Sequence, residues 1–227
     1  MTKNIRLLTA SYPEIRVPAS SARKIRGFFA DADRADDRLH NHTADGGQIY
    51  RYPQVQYKVL GGTPIVVAAE EGISSVHTQL MRGTPLKIGS QIYKDPAVDI
   101  HLSTHRMGDS RNMQSYRFIT PWIALNQENF SRYQAEDEEQ RSLLLPKILI
   151  GNLLSMCKAF GIAVEGRLTV SHHFHRVPVF YKGRQMEGFS GEFTANCFIP
   201  DLLGLGKGTA RGFGTVKQQK SRGEECP

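Results

Sequence analysis

Cysteine is scarce in this chain: Cys157, Cys197 and Cys226 are the only three among 227 residues. An odd, widely spaced set makes no closed disulfide framework and contains no Cys-X-X-Cys metal knuckle, so Cys157 and Cys197 are read as core residues. Long apolar runs are lacking too. None approaches the roughly 20 residues that span a bilayer, which predicts no membrane crossing. The opening MTKNIRLLTASYPEIRVPAS has no apolar stretch followed by a small-residue cleavage site, which predicts a cytoplasmic protein. Tryptophan occurs once, yet 40% of residues are hydrophobic, enough for an ordinary globular core.

What the chain does have is positive charge. Its formal net charge is +7, which favours a polyanionic partner, because neutralising phosphates releases condensed counterions and steers encounter over long range. Arg16, Arg23, Lys24 and Arg26 gather early, and Lys207, Arg211, Lys217, Lys220 and Arg222 gather late, whereas the acids Glu136, Asp137, Glu138 and Glu139 sit apart.

Periodicity predicts an α+β chain of two units, with boundaries at 1–108 and 109–227. In the first, NIRLLTA reads as a strand. Ser20 or Ser21 is placed to cap a helix over about 20–31 in which Ile25, Phe28 and Phe29 form one stripe. VQYKVL and PIVVAA read as a hairpin turned by Gly61 and Gly62. Ile73, Val76 and Leu80 mark a second helix, and PLKIGSQIYKD with VDIHLST supply more strand. The polar stretch RMGDSRNMQ is the candidate boundary. Strand, helix, strand, strand, helix, strand is the order of a ferredoxin-like (RRM-like) unit, whose sheet leaves a face open to RNA in several recognition modules. The second unit repeats the theme with SYRFITP, a long helix through RSLLLPKILIGNLLSMCKAFG, and strands at RLTVSHHF, VPVFYK and GEFTANCFI. Pro146 is expected in the first turn of that helix, near Ser142 to Leu145, where its missing amide hydrogen is harmless. In place of a second helix the unit carries LLGLGKGTARGFG.

That segment holds Gly204, Gly206, Gly208, Gly212 and Gly214. Glycines allow close approach of backbone to an anion, and Lys207 and Arg211 add charged donors, so the functional reading is a clamp on a phosphate backbone. A nucleotide P-loop needs Ser or Thr after its lysine, but here Gly208 follows Lys207. A dinucleotide fingerprint needs a βαβ unit and an acidic residue about 20 positions on, for which too little chain remains. A hairpin without a ligand is the plain alternative.

The stretch LHNHTADGGQIYRYPQVQYKV places His40 and His42 in a polar loop and Tyr50, Tyr52 and Lys58 at the entry to a strand. RNA that is made to attack itself needs a base for the 2′-hydroxyl, a donor to the leaving 5′-oxygen and a positive group beside the crowded phosphate. Histidine, tyrosine and lysine supply those roles without a metal or cofactor, histidine because its pKa of about 6.5 lies near working pH. Loop histidines are usually only solvated, and strand tyrosines often only pack, so spacing leaves these roles open. His172, His173 and His175 lack a further ligand at suitable spacing and are not read as a metal site.

Four segments together resemble a known family: LHNHTADGGQIYRYPQVQYKV at 39–59, WIALNQENF at 122–130, ILIGNLLS at 148–155 and GLGKGTARGFGTV at 204–216. The family is the CRISPR-associated repeat-RNA endoribonucleases, the b-like branch of the Cas-six group within the RAMP superfamily. The element order is read as two tandem ferredoxin-like units, and the helix missing from the second, where the glycine loop stands instead, is a departure that leaves its ferredoxin-like character incomplete. The resemblance implies metal-independent cleavage of precursor transcripts within the repeat, leaving 2′,3′-cyclic phosphate and 5′-hydroxyl ends on mature crRNA. His40, ahead of His42, becomes general acid or base, Tyr50 positions the scissile phosphate and Lys58 steadies its charge. Gly204, Gly206, Lys207, Gly208, Arg211, Gly212, Phe213 and Gly214 grip RNA, with Arg23, Lys24 and Arg26 extending the track. The implied partner is CRISPR repeat RNA; subunits of an interference complex and a second copy of the chain stay open as further partners. The competing function is a non-catalytic crRNA-binding subunit of such a complex.

Overall fold

The computed structural model describes residues 1–39 and 51–219. The chain divides into two compact units. One takes Ile5–His105 and Ala210–Gly212, the other Met1–Asn4, Arg106–Thr209 and Phe213–Pro227.

The first unit runs β1 (Thr2–Ser11), α1 (Ala22–Ala32), β2 (Val55–Leu60), β3 (Thr63–Ala69), α2 (Gly72–Met81), a small hairpin of β4 (Leu86–Ile88) and β5 (Gln91–Tyr93), and the opening of β6 (Asp99–Trp122). Its strand order is β2-β3-β1-β6. Gly61 and Gly62, both at positive φ, close the predicted hairpin, with Leu60 opposite Thr63 and Lys58 opposite Ile65. Ile25 and Phe29 of α1 and Val76 of α2 are buried with Leu8, Ala10, Val55, Tyr57, Val59, Val66 and Ala68 in one core. The Tyr57 hydroxyl donates to the Leu39 carbonyl at 3.1 Å. α1 does not start on a serine cap. A single 3₁₀ turn at Ala19–Ser21 leads into it, and Ser21 makes no side-chain cap bond, because a residue already in the helical region cannot turn its hydroxyl onto the first free amides.

The second unit continues β6 and adds α3 (Gln127–Ala135), α4 (Glu138–Ala159), β7 (Val170–Tyr181), β8 (Arg184–Phe198) and β9 (Val216–Gln218). β6 pairs with β8 on one side and β9 on the other, and β8 pairs with β7, giving the order β9-β6-β8-β7. The polar stretch RMGDSRNMQ lies inside β6 and breaks the β8 register only between Asp109 and Gln114. Polar residues are tolerated because one face of an antiparallel ribbon can meet water. Phe118, Trp122, Phe174, Phe189 and Phe193 form an aromatic cluster with ring centroids 5.1–6.2 Å apart. Cys157 and Cys197 are buried, as core residues.

α4 begins well before the expected start. Asp137 caps it, accepting from the Gln140 amide at 2.8 Å, which places Pro146 in the helix interior. Proline offers no N–H to the carbonyl four residues back. That carbonyl, on Ser142, instead lies 3.2 Å from Nε2 of His172 on β7, so a side chain from the neighbouring strand takes the place of the missing helical donor. α4 is also long and apolar enough to cross a membrane by length and composition alone. Pro146 and Lys147 interrupt that run in the sequence and hide it. Leu144, Leu145, Leu149, Leu153 and Met156 are buried, which is the pattern of a core helix.

Candidate RNA-cleavage and RNA-binding site

Within the first unit, strand alternation turns Val55, Tyr57 and Val59 into the core and Gln56 and Lys58 to the other face. Both polar residues are nevertheless fully buried. Lys58 Nζ donates to Gln56 Oε1 at 2.9 Å. Gln56 Nε2 donates to the Tyr52 hydroxyl oxygen at 2.9 Å and to the Pro53 carbonyl at 3.2 Å. Burial lowers the pKa of the Lys58 amine to about 7, because a charged ammonium loses its hydration there. Segment Ala210–Gly212 of the glycine loop belongs to this unit. A Cβ at Gly212 would lie 3.1 Å from the Tyr57 carbonyl oxygen and 3.3 Å from Lys58 Cα, so a residue without one is needed where the loop crosses β2. Arg23 and Lys24 are exposed on α1 and Arg26 is half-buried. His40, His42 and Tyr50 lie outside the described residues.

In the second unit the rest of the glycine loop is pinned by its own amides. Leu205 N donates to Gly214 O, Lys207 N to Ile123 O, Phe213 N to Gly208 O, Gly214 N to Pro121 O and Thr215 N to Thr120 Oγ1. Those amides serve the fold, so the glycines are required first for packing. Gly206 has φ +82°, and a Cβ on it would sit 2.4 Å from Trp122 Nε1 and 2.8 Å from the Ile123 carbonyl oxygen. Trp122 Nε1 is itself held by Asn152 Oδ1 at 3.0 Å. The loop thus locks onto the chain's one tryptophan and displays Lys207 outward.

Lys207 Nζ lies 5.8 Å from the centre of the Tyr181 ring, and Lys182 Nζ lies 5.9 Å from the same ring. Phe213 meets Tyr181 edge-on at 5.6 Å, and Phe180, the preceding residue of β7, is 73% exposed. Two ammonium groups around an accessible aromatic surface suit phosphates and unstacked bases. Tyr181 and Lys182 were not singled out from the sequence, since VPVFYK reads only as strand. Lys182 at φ +51° followed by Gly183 at φ +80° marks a hairpin tip, and that Lys-Gly turn was the available signal. His173 and His175 are exposed on β7 and His172 is half-buried. Among the described residues, no group of three or more His, Cys, Asp or Glu side chains is placed to hold a metal ion.

The family of Cas6b N-terminal domains matches residues 3–106, and the family of Cas6b C-terminal domains matches residues 108–219. The chain belongs to the Cas6b family. A solved Cas6b structure is 34% identical, with a TM-score of 0.91 over 96% of this chain and 100% of that one. A second, of the CRISPR RNA processing endoribonuclease Cas6b, is 32% identical with a TM-score of 0.78 over the same shares. An uncharacterized protein of Methanocaldococcus jannaschii is 39% identical over 132 residues, 58% of this chain and 90% of that protein. A type IV Cas6 crRNA endonuclease, Csf5, shares the fold at 11% identity and a TM-score of 0.57.

Proposed function

We propose that this Cas6b-family chain is an endoribonuclease that cuts CRISPR precursor transcripts within the repeat, without a metal or cofactor, in the cytoplasm. The observation that carries this reading is the match of both Cas6b domains over almost the whole chain, with a CRISPR RNA processing endoribonuclease superimposing along its full length. The strand orders β2-β3-β1-β6 and β9-β6-β8-β7 support two ferredoxin-like units, the second with the glycine loop where a helix would stand. The family domain ranges support the division into residues 1–108 and 109–227.

In the reaction the ribose 2′-oxygen attacks the adjacent phosphorus while the bond from phosphorus to the 5′-oxygen breaks. The 2′-hydroxyl proton passes to a base and the departing 5′-oxygen gains a proton from an acid, leaving a 2′,3′-cyclic phosphate and a 5′-hydroxyl. His40 and His42 are the residues assigned to these transfers, with Tyr50 positioning the phosphate. The net charge of +7 and the Lys182, Tyr181 and Lys207 surface support RNA as the partner.

The test is a gel of end-labelled repeat RNA incubated with purified protein in excess EDTA. One cut that persists in EDTA, and that His40→Ala or His42→Ala slows about 10²- to 10⁴-fold while binding is kept, is the expected result. Tight binding with no cut by the wild type would overturn it in favour of a non-catalytic crRNA-binding subunit.

A further inference from the structure

One face of α4 packs into the core of the second unit through Leu144, Leu145, Leu149, Leu153 and Met156. The opposite face is apolar as well, and it is open. Leu143 is 58% exposed and Leu154 43%, and between them stand Lys147, exposed, and Ile150, half-buried. These four residues recur at spacings of four, three and four, the repeat by which one helix packs along another. Gly151 lies exposed beside that seam, with nothing within 4 Å of the place a Cβ would take. Glycine in mid-helix destabilises it relative to alanine, and no crowding within the chain requires one here, whereas a second backbone passing close by would.

The seam also complements itself. When two copies of α4 lie antiparallel with Lys147 of each opposite Ile150 of the other, Leu143 of each falls opposite Leu154 of the other. Beyond the leucines, the acidic start of one helix, Asp137 and Glu139, comes to Lys158 at the end of the other, and all three are exposed. Every contact occurs twice, as a two-fold axis demands. A parallel pair would instead bring acids to acids and Lys158 to Lys158, and it would align the two helix dipoles unfavourably. Lys147 lays its carbon stem against Ile150 and keeps its ammonium group in water at the edge of the seam. Such a polar residue fixes register at the expense of strength.

We propose that this face of α4 is the surface through which two copies of the chain pair, as a two-fold antiparallel helix dimer centred between Lys147 and Ile150. The proposal goes beyond the nuclease reading and does not rest on it. From Leu143 to Leu154 the seam is about 17 Å long, short for a helix pair and interrupted by a lysine. The dimer therefore belongs to the weak class of interfaces and forms at micromolar rather than nanomolar concentration.

The experiment is sedimentation equilibrium of the full chain without RNA, over about 1 to about 200 µM, with thermal melting of every variant as a check on folding. Wild type is expected to pass from monomer to dimer across that range. Leu143→Asp and Leu154→Asp are each expected to raise the dimer Kd at least about 10-fold, because each places two carboxylates in the apolar seam. Lys147→Leu completes the seam and is expected to tighten the dimer by about 10-fold. Glu139→Lys and Lys158→Glu are each expected to weaken it several-fold, and the double variant Glu139→Lys/Lys158→Glu to recover most of that loss, since the exchanged charges meet across the two-fold axis. A wild type that stays monomeric throughout would overturn the proposal and leave the face to a different partner. A dimer indifferent to both leucine substitutions would overturn it by placing the interface elsewhere, and losses that multiply in the charge-exchange variant would overturn the antiparallel register. Should a leucine variant fail to fold, the substitutions at the exposed Lys147, Glu139 and Lys158 decide alone.

Discussion

Replacing Lys58 by Met should flatten the pH dependence of stability above neutrality. Lys58 is fully buried and its amine falls from the ordinary 10.5 to about 7, with burial as the cause. In the unfolded chain it returns to the ordinary value. Between pH 7 and 10.5 the unfolded state therefore holds a proton that the folded state has released, and stability rises with pH over that window. Below pH 7 both states are protonated and the folded state bears the full cost of the buried charge. Integrating the two titrations from about pH 7 to about pH 9 gives a gain of about 2 kcal/mol for the wild type from this one group. Methionine has nearly the same length and nothing to titrate, so its variant should lack that gain, while every other group titrates alike in both proteins. Urea unfolding at about pH 7 and about pH 9 measures the difference of differences. Parallel pH dependences in the two proteins would show that Lys58 is not held neutral by burial.

Gly206→Ala should destabilise the second unit by about 2 kcal/mol or more, read by urea denaturation, because the new Cβ meets Trp122 Nε1 at 2.4 Å and alanine is strained at φ +82°. Removing Lys182 and Lys207 together should weaken repeat-RNA binding at all sequences tested. It should also reduce the slope of log K against log salt by roughly 0.7 for each phosphate no longer neutralised, and an unchanged slope would mean that neither lysine meets a phosphate. His172→Phe should cost about 1 kcal/mol in the wild type and close to nothing in Pro146→Ala, where the amide restored by alanine takes over the Ser142 carbonyl. Equal costs in the two backgrounds, from a double-mutant cycle, would refute that substitution of donors.

Elements governed by local rules were legible in the sequence. The β2–β3 hairpin followed from two glycines between alternating segments, α2 from Ile73, Val76 and Leu80, and the glycine loop from a composition that no helix tolerates. Elements rescued from a distance were not. Proline inside a helix is normally forbidden, and the residue that makes Pro146 tolerable, His172, sits on another element. The length of β6 escaped for a similar reason: its polar middle reads as loop until β8 is seen to pair with both flanks.

The candidate site divides along the same line, and the division is chemical. A functional motif is visible in sequence when the residue types themselves are unusual for their setting, as with paired loop histidines or five glycines around Lys207 and Arg211. Gln56 has no such mark. On an alternating strand of VQYKV, glutamine and lysine are the residues expected to face water, and that pattern conceals the fact that matters, that both are buried. Ala210–Gly212 returns to their unit from the far end of the chain, with Gly212 placed so that a Cβ on it would lie 3.3 Å from Lys58 Cα. The glycine loop therefore has two effects in the first unit. It brings Arg211 to the unit that holds β2, and it sets Gly212 against the backbone of the strand that carries the buried, hydrogen-bonded Lys58 and Gln56. A substitution at Gly212 that kept Lys182 and Lys207 would still crowd the backbone of Tyr57 and Lys58, which is why loss of cleavage in a glycine variant cannot by itself be read as loss of RNA binding.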